Sequence, residues 1–147
     1  MYNPSVYLMG LPHFALYMSI GVLFMVAFMV IYSKVTPHKE WKLMLEGNAT
    51  ASIAFSGAVI GFSLPLYKAM SQSVSLLDFA VWSLVALIIQ LAAFYGLRGV
   101  LRVFGGDQGE TKLSLCQHIE QNHRAYGIFA CAFFIAIGML NAASMTY

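Results

Sequence analysis

The chain has 147 residues, 60% of them hydrophobic and only 10% charged, with a formal net charge of +2. A soluble domain carries about 25% charged residues, so this composition excludes a surface that faces water on every side. A mean hydropathy of +0.74 points instead to a chain dissolved in lipid.

Charge-free stretches run from Met1 to Ser33, Gly47 to Tyr67, Phe79 to Leu97 and Ala125 to Tyr147. Each can supply the roughly 20 apolar residues that cross about 30 Å of hydrocarbon. The alternation of a strand is absent, so helices must satisfy the backbone in lipid. The expected fold is an all-α membrane protein, a single domain over 1–147 with four transmembrane helices near 13–33, 49–70, 77–98 and 124–146.

The first stretch exceeds the roughly 7–15 apolar residues of a signal peptide and has no basic segment before it, so it is expected to stay as a helix. The connection after it carries Lys34, Lys39 and Lys42. Thr36 is placed to cap a short helix whose first position is Pro37, where the missing N–H does no harm. Trp41, Leu43 and Leu45 are spaced to dip into the headgroups as an interfacial segment.

The second span opens on "EGNATASIAFSGAVIG", residues 46–61. Asn48 stands where the first N–H groups of a helix need an acceptor. Glu46 lies beside the positive end of the helix dipole, which favours a carboxylate by roughly 0.3–1 kcal/mol. Ser52 and Ser56, Ala54 and Ala58, and Gly57 and Gly61 are each four apart, the small-residue spacing that lets helices approach closely in lipid. Pro65 continues the row and is expected to kink the outer end. The "NAT" at 48–50 has the form of a glycosylation acceptor but falls on the wrong side of the membrane.

The third span begins at Asp78, an expected cap, and carries Gln90 near its middle. An amide in hydrocarbon should bond a neighbouring helix, or else line a hydrated path. No Asp, Glu, Lys or Arg falls near the bilayer midplane, which argues against a proton-relay carboxylate. The 99–119 connection contains the glycine-rich "RVFGGDQGE", with Asp107 and Glu110 at capping-box spacing. Leu113, Leu115 and Ile119 are expected to dip into the headgroups like their counterparts in the first connection. If a cytoplasmic protein partner docks, this connection is its handle; otherwise it is a solvated loop.

The fourth span follows "EQNHRAYGIFACAF", residues 120–133, so Glu120 and Asn122 repeat the Glu-x-Asn of the second. Ala132, Ala136 and Gly138 form its small-residue face, expected to pack against the other helices or against another copy, and Asn141 is a further intramembrane polar group. A shift of 74 residues lays Glu46 on Glu120, Asn48 on Asn122, Ala51 on Ala125, Phe55 on Phe129 and Ala58 on Ala132. That suggests two tandem helical hairpins, 13–70 and 77–146, forming a parallel repeat about an axis along the membrane normal. Two readings of the Glu-x-Asn pairs stay open. They are helix caps, or they form a polar entrance that binds a cation or gates a path.

Seven of the eight basic residues fall in the first and third connections, against Lys68 alone in the second. The positive-inside rule then puts those connections in the cytoplasm and both termini outside. Cys116 and Cys131 are not expected to form a bridge, and His118 and His123, five apart, do not share a helix face, so no metal site is expected. No nucleophile–base–orienter set is present, and neither enzyme activity, cofactor nor nucleic-acid partner is expected.

The segments "IYSKVTPHKEW", "NATASIAFSGAVIGFSLPL", "IIQLAAF" and "GMLNAASMTY" together resemble the bacterial YjfL-type inner-membrane proteins, the domain-of-unknown-function 350 family. The likeness covers nearly the whole chain and departs around "VFGGDQGETK". It implies a bacterial inner membrane, four spans, and a link by gene neighbourhood to phage-shock-type membrane-coating proteins and polyamine-ligating enzymes. It implies no molecular activity. The expectation is a self-associating scaffold or anchor in the lipid bilayer, a homo-oligomer serving envelope-stress machinery. The other is a small oligomeric channel or transporter with its entrance at Glu46, Asn48, Glu120 and Asn122.

Overall fold

The computed structural model describes residues 4–37, 39–104 and 115–145, with side chains over 10–37, 39–103 and 115–145. Six helices follow in chain order: α1 Pro4–Val35, α2 Glu40–Leu45, α3 Ala49–Gln72, α4 Leu76–Phe104, α5 Leu115–Glu120 and α6 Arg124–Ser144. Within them, Gly10–Val35, Ala49–Gln72, Leu76–Val103 and Arg124–Ser144 are long and apolar enough to cross a membrane. The four expected spans are therefore present. α1 starts well before the expected residue 13, with Pro4 at the first helical position, where its fixed φ suits a helix start. At about 1.5 Å per residue, its 32 residues exceed the thickness of the hydrocarbon.

Helix directions can be read from the contacts. Thr50 meets Gly127, Gly57 meets Cys131 and Gly61 meets Gly138, so α3 and α6 run parallel. Tyr17 and Phe24 meet Phe79 while Tyr32 meets Phe94, so α1 and α4 also run parallel. Gln90 bonds Phe134 and Asn141 reaches back to Ala86, so α4 and α6 are antiparallel.

Glycine sets the α3–α6 spacing. A Cβ on Gly57 would lie 2.8 Å from the Cys131 Sγ, and one on Gly127 would lie 2.7 Å from the Thr50 carbonyl oxygen. A Cβ on Gly138 would overlap the Gly61 backbone. Lipid tails are as apolar as the side chains, so such close backbone approach is what holds helices together here. The stripe on α6 is Gly127, Ala130, Phe134, Gly138 and Asn141, all buried. On α3, Ala54, Gly57, Ala58 and Gly61 are buried as expected, whereas Ser52 is half-buried and Ser56 exposed. Ala132 and Ala136 are exposed, and the seam does not use them. The reason is angular: two residues to either side of Phe134 point to the opposite face of a helix with 3.6 residues per turn.

α1 packs differently, through an aromatic stripe. Phe28 stacks on Phe62 at 4.6 Å, and Tyr32 meets Phe55, Phe94 and Phe134 at 5.9–6.2 Å between ring centroids. The opposite face, including Leu23 and Val30, is exposed.

The short helices depart from expectation in instructive ways. The Thr36 hydroxyl donates back to the Tyr32 carbonyl at 3.0 Å and closes α1, so α2 begins at Glu40 with Lys39 in the cap position. Leu115 and Ile119 are buried in the protein and do not dip into headgroups. Asp107, Glu110, Lys112 and Leu113, and with them the middle of the proposed partner handle, lie outside the described residues.

Candidate functional site

α2 and α5 are each six residues long and each turns directly into a spanning helix. Their turns are made by the same three backbone bonds. Glu46, Gly47 and Asn48 donate to Lys42, Met44 and Leu43, while Gln121, Asn122 and His123 donate to Gln117, Ile119 and His118. The recurrence is 75 residues, one more than the shift that aligns Glu-x-Asn with itself. Gly47 and Asn122 therefore occupy equivalent places, both left-handed, with φ of 83° and 59°. Gly and Asn are the residues that tolerate this conformation best.

The displacement gives the two asparagines different work. Asn48 is the N-cap of α3: its Oδ1 accepts from the Ala51 N–H at 2.9 Å. Its Nδ2 donates to the Ile119 carbonyl at 2.7 Å and to that of Glu120 at 3.3 Å. One amide thus joins the start of α3 to the end of α5. Asn122 is not the cap of α6; that position belongs to His123, whose side chain makes no capping bond. The Asn122 Oδ1 instead accepts from the Thr50 N–H and hydroxyl, both at 3.0 Å. α3 consequently has side-chain acceptors on two of its orphan donors, one supplied by a residue 72 positions away.

Glu46, Asn48, Glu120 and Asn122, with Leu43 and Gly47, line one surface pocket of about 240 Å³. Glu46 pairs with Lys42 at 3.7 Å, but both side chains are more than half exposed, so the pair contributes about 0–1 kcal/mol. The parallel α3 and α6 point their N-termini toward the carboxylate-bearing turns, which suits the positive dipole ends. Chemically the pocket offers two carboxylates and carbonyl acceptors, with the Asn48 amide and the Asn122 Oδ1 already engaged.

Deeper in the bundle, Gln90 is fully buried and its Nε2 donates to the Phe134 carbonyl at 3.2 Å. That carbonyl and the Gln90 amide both sit against Gly61, so the glycine also makes room for the amide. Asn141 Nδ2 faces the Ala86 carbonyl at a long 3.5 Å. Both intramembrane amides therefore tie α4 to α6, and Ser83 is buried beside them on α4.

Sequence reasoning missed several groups. Thr50 is completely buried and receives the Asn122 contact; its only signal was the hydroxyl at the second position of a capped helix. Glu40 is buried to 1% exposure, which nothing in an amphipathic six-residue segment announces. His118 and His123 share no helix face, but they lie on either side of a turn that folds back, and their rings stand 5.2 Å apart. His118 also stacks flat on Tyr126 at 3.8 Å. Burial first, and the neighbouring His123 second, hold His118 below its ordinary value of 6.5. Among the described residues no group of three or more His, Cys, Asp or Glu is placed to hold a metal ion, and Cys116 and Cys131 are both free.

Residues 6–145 match the family model described as Domain of Unknown Function (DUF350). The chain is 38% identical over 134 residues to the UPF0719 inner membrane protein YjfL of Escherichia coli (strain K12), covering 91% of this chain and 93% of that protein. It is 27% identical over 125 residues to the UPF0719 transmembrane protein YshE of Bacillus subtilis (strain 168), covering 85% of each. No solved structure matches it.

Proposed function

This chain belongs to the DUF350 family of inner-membrane proteins, and from that premise we propose that it is a self-associating scaffold or anchor. The observation that carries the reading is the closed α3–α6 seam. Backbone meets backbone at Gly61 and Gly138, and Phe134 and Gln90 fill the space beside them. Such an interior suits a load-bearing element better than a conduit through one chain. Ser56, Ala132 and Ala136, left on outer faces, offer small surfaces for a second copy. Envelope-stress machinery is the partner class suggested by the resemblance. Replacing Ala132 and Ala136 by Leu should shift cross-linked oligomers to monomers while thermal unfolding in detergent changes little. A wild type that stays monomeric in both detergent and bilayer nanodiscs would sink this reading.

A second reading has its own support. Glu46, Asn48, Glu120 and Asn122 line a single pocket, as an entrance to an oligomeric channel or transporter would require. Under that reading, Glu46→Gln with Glu120→Gln alters cation flux into sealed liposomes without changing assembly. Folded wild type that passes no ion rules it out.

The topology that accompanies both readings puts the two lysine- and arginine-rich connections in the cytoplasm and both termini in the periplasm. Two tandem hairpins, 13–70 and 77–146, are the corresponding architecture. The parallel α1–α4 and α3–α6 pairs and the recurring turn support it. A C-terminal alkaline phosphatase fusion should be active, and a C-terminal green fluorescent protein fusion dark.

A further inference from the structure

α2 has its burial inverted. Glu40, its carboxylate, is 1% exposed, while Trp41 and Leu45 are 51% and 88% exposed. In water that arrangement is unfavourable, because an indole and an isobutyl group are left in solvent. It makes sense when the outer face of α2 meets lipid. Trp41 and Leu45 are four apart and so share one face, and the Trp41 ring is fixed edge-on against Phe55 of α3 at 5.2 Å. Lys39 and Lys42, three apart, occupy the adjoining face, and both are exposed, as is Lys34 at the end of α1. Of the acidic groups on this segment, Glu40 is turned inward and Glu46 pairs with Lys42, so Lys34 and Lys39 carry positive charge outward.

We propose that the Trp41–Leu45 face and the lysines Lys34, Lys39 and Lys42 form a binding surface for anionic phospholipid. Leu45 enters the acyl region. Trp41 sits at the glycerol level, where an amphipathic ring is favoured. The ammonium groups meet headgroup phosphates, and a net negative headgroup is preferred because α2 presents more exposed cations than anions. Lys42, shared with Glu46, contributes least.

The chain has two tryptophans, so Trp82→Phe leaves Trp41 as the sole indole emitter. That variant is reconstituted in mixed bilayers in which either the phosphatidylglycerol or the phosphatidylcholine carries brominated acyl chains. Brominated phosphatidylglycerol should quench Trp41 at least about twofold more strongly than brominated phosphatidylcholine at equal abundance. The preference should fade in strong salt and vanish in the triple Lys→Gln variant at 34, 39 and 42. The triple Lys→Arg variant should keep it and guards against loss of fold in the Gln form. Equal quenching by the two lipids overturns the headgroup preference. Quenching by neither, with Trp41 open to aqueous iodide, overturns the whole surface.

Discussion

The turns at 46–48 and 121–123 are built on one backbone template and spend their side chains in opposite ways. The first gives the left-handed place to glycine and uses its asparagine twice, capping α3 through Oδ1 and tying it to the end of α5 through Nδ2. The second puts its asparagine in the left-handed place and lends the side-chain oxygen to Thr50, so α6 starts with an unbonded histidine cap. Both arrangements favour α3. The comparison teaches that identical residues at a repeated spacing need not repeat a role: a one-residue offset leaves one asparagine as both cap and cross-brace and the other as cross-brace alone.

The largest effect should come from Asn48→Ala. It removes a cap, worth about 1 kcal/mol, and strips the Ile119 carbonyl of a bond inside the protein, worth about 1–3 kcal/mol more. Unfolding by denaturant titration in detergent should therefore show a loss of roughly 2–4 kcal/mol. Asn122→Ala should cost about 2 kcal/mol, because the Thr50 donors lose their acceptor and alanine resists the left-handed φ. Asn122→Gly separates these causes, since glycine accepts the conformation but supplies no oxygen; about half of the alanine loss should return. If glycine and alanine behave alike, the positive φ contributes nothing and the cross-brace carries the whole effect.

A gain is expected from His123→Asn, which gives α6 the kind of cap α3 already has. It should stabilise by about 0.5–1 kcal/mol in the same titration. Acid offers the smallest and most local perturbation. His118 is held below 6.5 in the folded chain, so the unfolded chain takes up the proton more readily. Its contribution is complete above 6.5 and is lost as pH falls through that value toward the folded one. Melting temperatures recorded on both sides of 6.5 should show a decline on the acid side, and His118→Gln should flatten it.

The spans were legible because the bilayer imposes a length that composition cannot hide, and the buried row on α3 could be read from glycine and alanine spacing. The register of the turns was not. Sliding the sequence matches residue types, whereas a helix terminus is fixed by backbone bonds, and Gly47 aligns with Asn122 only when conformation is compared. That Ala132 and Ala136 lie off the seam was hidden for a related reason: small residues abound in lipid-facing helices, and only the angular position of Phe134 and Gly138 separates the seam from its far side. Glu40 was invisible because its burial depends on how α2 is laid against the bundle, a tertiary fact with no local signature.

Gly61 and Gly138 meet where the bundle is tightest, and neither has a side-chain torsion to freeze. Docking at that point loses no rotamer freedom, so helices already inserted as separate rods can close there with an unusually small entropic penalty. The ordering cost of assembly falls instead on the rings of Phe28, Tyr32, Phe62, Phe94 and Phe134. α1 is accordingly the rod whose docking should come last and fluctuate most.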